Sequence, residues 1–212
     1  MSSGAAIVAG LSPAAWFRFN LGITGNPVSQ WNDASGNARH LKQVTATNQP
    51  ALQGDGSILF DGIDNYMKCD AFTLNQPATF YILGRQVTWT DVDCFCDGDA
   101  GASQLIQQSG ATPAIRLFAG LGVASNTNLA VNTYGVVAAV FNGASSLLQI
   151  NNTTPTTGDP GAANAGGFTL GSTGTAGAPS NIQVKEVVIF AAAHDATTRA
   201  AVIGYLSRVG GL

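Results

Sequence analysis

Residues 181–206, NIQVKEVVIFAAAHDATTRAAVIGYL, decide the fold. Read with period-two alternation, Ile182, Val184, Val188 and Phe190 fall on one side of a strand and Val187 and Ile189 on the other. Apolar residues on both sides place this strand inside a sheet, covered on both faces at its centre. Beyond it, Asp195 is positioned to N-cap a helix, and Val202, Ile203, Leu206 and Val209 recur at helical spacing. Arg208 meets the negative end of the helix dipole, and Gly210 and Gly211 stop the helix. The spacing predicts one helix, from about Asp195 to Arg208, laid on or beside a β structure.

Working back from that stretch, the chain reads as short strands separated by turns. VVAAVFNG and SSLLQINN form a hairpin across Asn142 to Ser145, and ATFYILGRQVTW, Ala78 to Trp89, is a strand broken at Gly84, where a bulge is expected. Shorter strands are expected at Asp93–Cys96, Gln104–Gln107, Ile115–Phe118 and Asn128–Val131. Ile58 and Phe60 lead through a turn at Asp61 and Gly62 into a second run at Tyr66 and Met67, a hairpin-like unit. Trp16, Phe17 and Phe19 surround Arg18 in an early strand. The connection around Trp31 is rich in Gly, Asn, Asp and Ser, with Trp31 expected to anchor it to the core. No repeat of fixed period is present. The pattern predicts an all-β, two-sheet antiparallel sandwich with a short C-terminal helix, divided into an N-terminal arm (residues 1–10) and a single β domain (residues 11–212).

Composition narrows the function. Hydrophobic residues make up 45% of the chain and charged residues 10%, against roughly 25% charged in ordinary soluble proteins. Such a weakly charged surface favours association. The net charge of −3 and the lack of any Lys/Arg cluster argue against nucleic-acid binding. The start of the chain has no basic n-region, and no apolar run approaches the roughly 20 residues that span a bilayer, so neither Sec-type export nor membrane insertion is expected.

WNDASGN, the unit from Pro50 to Gly62, QPATFYILGR, YGVVAAVFNG, GFTLGS and VKEVVIFAAAHDATTRAAVIGYL occur in an order that resembles the concanavalin A-like lectin/glucanase superfamily. The nearest type within it is the laminin-G-like jelly roll of bacterial and phage proteins. The resemblance spans about Leu11 to Leu206. It implies two sheets packed face to face, the concave one being the usual ligand face, in a group that includes sugar binders, adhesion modules, glycosidases and structural domains.

Glycosidases of this group often carry two glutamates flanking an aspartate on one strand. Here Glu186 is the only glutamate, and its place beside Val184 and Val188 reads as a hydrogen-bonded structural carboxylate. Asp91, Asp93, Asp97 and Asp99, beside Gly98, could supply oxygen ligands to calcium or could simply make solvated turns. Cys69, Cys94 and Cys96 read as buried thiols, with a soft-metal site as the alternative. His40 and His194 lie in turns. Trp89 and Tyr134 are the candidate aromatic platforms for a sugar ring, with core packing as the alternative.

Together these readings give the expectation of a non-catalytic protein, not an enzyme: a capsid decoration or fibre-type protein of a phage virion, made in the host bacterial cytoplasm without a signal peptide. Capsid or other virion proteins are its expected partners, and a glycan a further one. Association as a homo-oligomer, with a trimer first, is expected through the small-residue arm Ser2 to Gly10. A free carbohydrate-binding lectin is the alternative, and a glycosidase the weaker one.

Overall fold

The computed structural model describes residues 3–110 and 113–212. Its helices are α1 (Ser3–Gly10) and α2 (Ala196–Gly210). In chain order the strands are β1 (Ala15–Phe17), β2 (Ile23–Thr24), β3 (Gln30–Trp31), β4 (Leu41–Lys42), β5 (Ala51–Leu52), β6 (Ile58–Asp61), β7 (Met67–Lys68), β8 (Ala78–Gln86) and β9 (Cys94–Asp97). They continue with β10 (Leu105–Gln108), β11 (Ile115–Phe118), β12 (Gly122–Asn126), β13 (Gly135–Phe141), β14 (Ser146–Ile150), β15 (Thr156–Gly158), β16 (Thr169–Leu170) and β17 (Asn181–Phe190). One antiparallel sheet runs β15-β14-β13-β8-β17-β6-β5, with β1 also on β17, and the other runs β12-β11-β10-β9-β16-β7-β4-β3-β2. The two face each other as a β-sandwich, and both helices lie on the outer side of the first sheet.

β17 is central, as its apolar pattern requires, but its two faces differ from simple alternation. Val184 pairs with Gly84 and Glu186 with Leu83, which leaves Lys185 without a partner in a β-bulge. The extra residue flips the alternation. Ile182 and Val184 before the bulge, and Val187 and Ile189 after it, all face the inter-sheet core, whereas Val188 and Phe190 face the helices. The bulge therefore lies on β17, opposite Gly84, and not at Gly84 itself. A Cβ on Gly84 would come within 2.8 Å of the Gln183 carbonyl oxygen, so the close approach of the bulged strand needs glycine there.

The inter-sheet core is aromatic: Phe17 stacks on Phe168 at 6.0 Å, and Phe80 meets Phe141 edge-on at 5.5 Å. Trp31 is fully buried and its indole N–H donates to the Arg18 carbonyl, as its anchoring role requires. A second cluster joins Tyr81, Leu83, Val136 and Val188 on the outer face of the sheet to Val202, Ile203 and Leu206 of α2. Helix α2 begins at its N-cap Asp195, whose side chain accepts from the Thr198 N–H at 2.8 Å, and ends at Gly211 in the left-handed conformation.

Three local expectations are corrected. β6 and β7 belong to opposite sheets, so the turn after Asp61 is a crossover between sheets and not a hairpin. Asn128–Val131 is a loop, and the strand of that region is β12: the Asn126 side chain accepts from Asn128 N–H, and the Leu129 carbonyl accepts from the Gln86 amide. The N-terminal segment forms α1, which puts Ala5 and Val8 into the second cluster. A Cβ on Gly4 would meet Tyr205 at 2.7 Å, so the small residues bring α1 close against α2 of the same chain. Met1 and Ser2 of the expected arm lie outside the described residues.

Candidate functional site

WNDASGN builds the cleft. Asp33, almost wholly buried at 9% exposure, gathers the loop with four hydrogen bonds. Its Oδ1 accepts from Trp16 N–H (2.9 Å) and Ser35 N–H (2.8 Å), and its Oδ2 from the Ser35 hydroxyl (2.8 Å) and Arg39 N–H (3.0 Å). Gly36 and Ala38 take positive φ values of 94° and 56°, which turn the chain sharply enough to bring both ends of the loop to one carboxylate. Asn37 then donates through Nδ2 to the Pro13 and Ala14 carbonyls, and Arg39 through Nη1 to Ala14 at 2.8 Å. The Arg39 guanidinium lies 4.0 Å from the centre of the Phe72 ring, which fixes its plane.

Between this loop, the α1–β1 connection and residue 73 lies an open cleft of about 450 Å³, lined by Ser12, Trp16, Ser35, Asn37, Arg39 and Thr73 among others. That volume is in the usual range of a small-ligand site, roughly 300–1,000 Å³. Hydroxyls, an amide oxygen and a guanidinium are groups that recognise sugar hydroxyls. Behind it, Glu186 is 1% exposed. Its Oε1 accepts from Trp16 Nε1 and the Tyr205 hydroxyl, each at 2.7 Å, and its Oε2 from Phe19 N–H at 3.2 Å. The carboxylate is structural, as expected, but it shares a face with Val188 and not with Val184. Burial, and then the charge of Glu186, push the Tyr205 hydroxyl well above the usual phenol range.

Trp89 and Tyr134 lie at the other end of the first sheet. Gln86 pairs with Ile182 at the start of β17, while the cleft reaches Ala191 past its end, nine residues or roughly 30 Å further along the strand. Trp89 is half-buried and donates to the Ala114 carbonyl at 3.4 Å. The Tyr134 hydroxyl shares its one proton between Asp55 Oδ2 (3.0 Å) and Gln183 Oε1 (3.2 Å), and its ring carries Lys185 at 4.3 Å and Arg85 at 4.9 Å from the centroid. Asp55 pairs with Lys185 at 3.5 Å. Although burial raises its pKa, hydrogen bonds from Ser57 and Tyr134 and the Lys185 charge hold it at about 2.

The four clustered aspartates do not converge. Asp97 is fully buried and accepts five backbone N–H groups, from Gly98, Ser103 and Gln104 on Oδ1 and from Ala102 and Gly174 on Oδ2. Those bonds use the lone pairs that a cation would need. Asp99 pairs with Lys68 at 3.0 Å, Asp91 accepts from Gly110 N–H, and burial raises the pKa of Asp93. Among the described residues no three His, Cys, Asp or Glu side chains are grouped to hold a metal ion. The three cysteines are free and buried, and burial pushes their thiols up. No described helix is long and apolar enough to cross a membrane.

No family model and no curated protein matches this chain. Solved structures do. A GH54 α-L-arabinofuranosidase soaked with a cyclic sulfate inhibitor superposes with a TM-score of 0.64 at 14% identity, over 84% of this chain and 50% of that one. Trypanosoma rangeli sialidase in complex with sialic acid gives 0.64 at 10% identity, over 97% of this chain and 37% of that one. A mutant of the same sialidase displaying trans-sialidase activity gives 0.66 at 9% identity. The fold is thus a jelly-roll sandwich of the concanavalin A-like kind, and the chain spans half the length of the arabinofuranosidase and little more than a third of the sialidase. These matches correct the expectation that the chain is not an enzyme. The sandwich recurs within chains that are glycosidases. At such identities the likeness is one of fold.

Proposed function

We propose that the chain is a carbohydrate-binding domain, with the cleft between Trp16 and the Ser35–Arg39 loop as its sugar site. The observation that carries this reading is the cleft's polar lining, held in place by one buried carboxylate. Hydrogen-bonding groups positioned in advance lose little entropy on binding. The fold shared with glycosidase chains supports the same substrate class. Screening the full chain on a glycan array and titrating the hits tests it. Ala34 is exposed at the cleft wall, and its N–H bond to the Trp16 carbonyl does not need its side chain. Ala34→Trp therefore fills the cleft and is expected to abolish saccharide binding with the thermal midpoint unchanged. Binding that survives Ala34→Trp overturns the assignment.

Attachment within a phage virion, on a laminin-G-like domain, is proposed as the setting for such a site. The 10% charge content supports it. Self-association through residues 2–10, with a trimer first, is proposed on the same ground. Co-sedimentation with particles tests the first and light scattering the second: no affinity for particles overturns the first, and a monodisperse monomer at high concentration overturns the second.

A further inference from the structure

We infer that the cleft selects sugars bearing a carboxylate, such as uronic or sialic acids, through Arg39; this rests on the reading of the cleft as a saccharide site. Arg39 is the one charged group in the lining, and no Asp or Glu lines the cleft with it. Among the described residues no carboxylate lies within ion-pair distance of its guanidinium, and the ion pairs present are Lys42–Asp70, Lys68–Asp99 and Lys185–Asp55. The acids close by in the chain are already committed. Asp33 accepts four hydrogen bonds, none from a guanidinium, and Asp70 pairs with Lys42.

A guanidinium offers five N–H donors in a planar fork. Here one nitrogen, Nη1, is tied to the Ala14 carbonyl, and the guanidinium carbon sits over the Phe72 ring at 4.0 Å, two contacts that hold the fork in place. The remaining donors match the two oxygens of a carboxylate, and a charge-assisted pair of that kind is about twice as strong as a neutral hydrogen bond. The hydroxyls of Ser12 and Thr73 and the Asn37 amide oxygen supply the neutral contacts for the rest of a sugar ring, since the Ser35 hydroxyl and the Asn37 NH2 are spent within the loop. A neutral sugar would leave the cation without an anionic partner in a partly enclosed site, which disfavours it relative to an acidic one.

The test is calorimetric titration of the full chain with 3′-sialyllactose, digalacturonic acid, lactose, cellobiose and 3′-sulfated lactose, with Arg39→Gln, Arg39→Lys and Ala34→Trp alongside. At least one of the two carboxylated probes is expected to bind tenfold or more tighter than the neutral and sulfated ones, and the two sources of carboxylate are told apart by which of them binds. Arg39→Gln is expected to remove that preference, a loss of about tenfold or more. Arg39→Lys, which keeps the charge but not the fork, is expected to retain part of it, and a melting curve for each variant separates loss of binding from loss of fold. Neutral sugars that bind equally well, unaffected by Arg39→Gln but blocked by Ala34→Trp, overturn the selectivity and leave the cleft as a saccharide site. Equal binding of sulfated lactose overturns the carboxylate class. No binding by any probe overturns the selectivity for both carboxylate sources, and sugar binding insensitive to Ala34→Trp overturns the cleft itself.

Discussion

The two ends of the first sheet carry similar residues and use them in opposite ways. At the Tyr134 end, Asp55, Lys185, Arg85 and Gln183 are spent on one another and on the tyrosine, whose ring already holds two cations. At the Trp16 end, one buried carboxylate organises the loop, and the guanidinium it positions meets no acid. An aromatic beside charged residues therefore does not mark a site by itself. What marks one is a group held in place whose hydrogen-bonding capacity is not consumed by the protein.

The largest expected effect follows from removing the organiser. Asp33→Ala leaves four donors without their acceptor, and stability is expected to fall by on the order of 3 kcal/mol in denaturant unfolding, with saccharide binding lost. Glu186→Gln, behind the cleft, is expected to cost about 2 kcal/mol, because the amide that replaces Oε2 faces the Phe19 N–H with a donor. At the other end, Tyr134→Phe is expected to cost about 1 kcal/mol and to leave sugar titration unchanged, since its hydroxyl bonds to Asp55 and Gln183, outside the cleft. The smallest effect is in acid, because solvent screens the half-exposed Asp55. Asp55 is held at about 2 from its ordinary 3.8, so its contribution is present above pH 3.8 and lost as pH falls towards 2. Asp55→Asn is expected to flatten that part of the stability–pH curve. A loss of sugar binding in either far-end variant would erase the contrast between the two ends.

Much of the architecture was legible because it rests on local chemistry. Asp195, the apolar spacing after it and Gly211 specify α2, and the turn at Asn142–Ser145 specifies the β13–β14 hairpin. The faces of β17 were not, because a bulge is set by the partner strand: nothing in NIQVKEV announces that Lys185 drops out of register opposite Gly84. Nor does SGAAIVAG show a helical stripe. Its packing depends on Tyr205, some two hundred residues away, accepting a close glycine. At the site, WNDASGN read correctly as a turn-rich connection, but its Asp33 hub joins β1 to the loop across 17 residues. Aromatic type pointed to Trp89 and Tyr134, whereas the unspent group is Arg39, and only the folded chain shows which side chains lack partners.

Nuclear magnetic resonance mapping of the full chain titrated with 3′-sialyllactose and digalacturonic acid tests the central claim most directly. Shifts are predicted at Ser12–Trp16, Ser35–Arg39 and Phe72–Thr73, and none at Arg85, Tyr134 or Lys185. Shifts centred on Tyr134 or Trp89, with the Ser35–Arg39 loop silent, would contradict it.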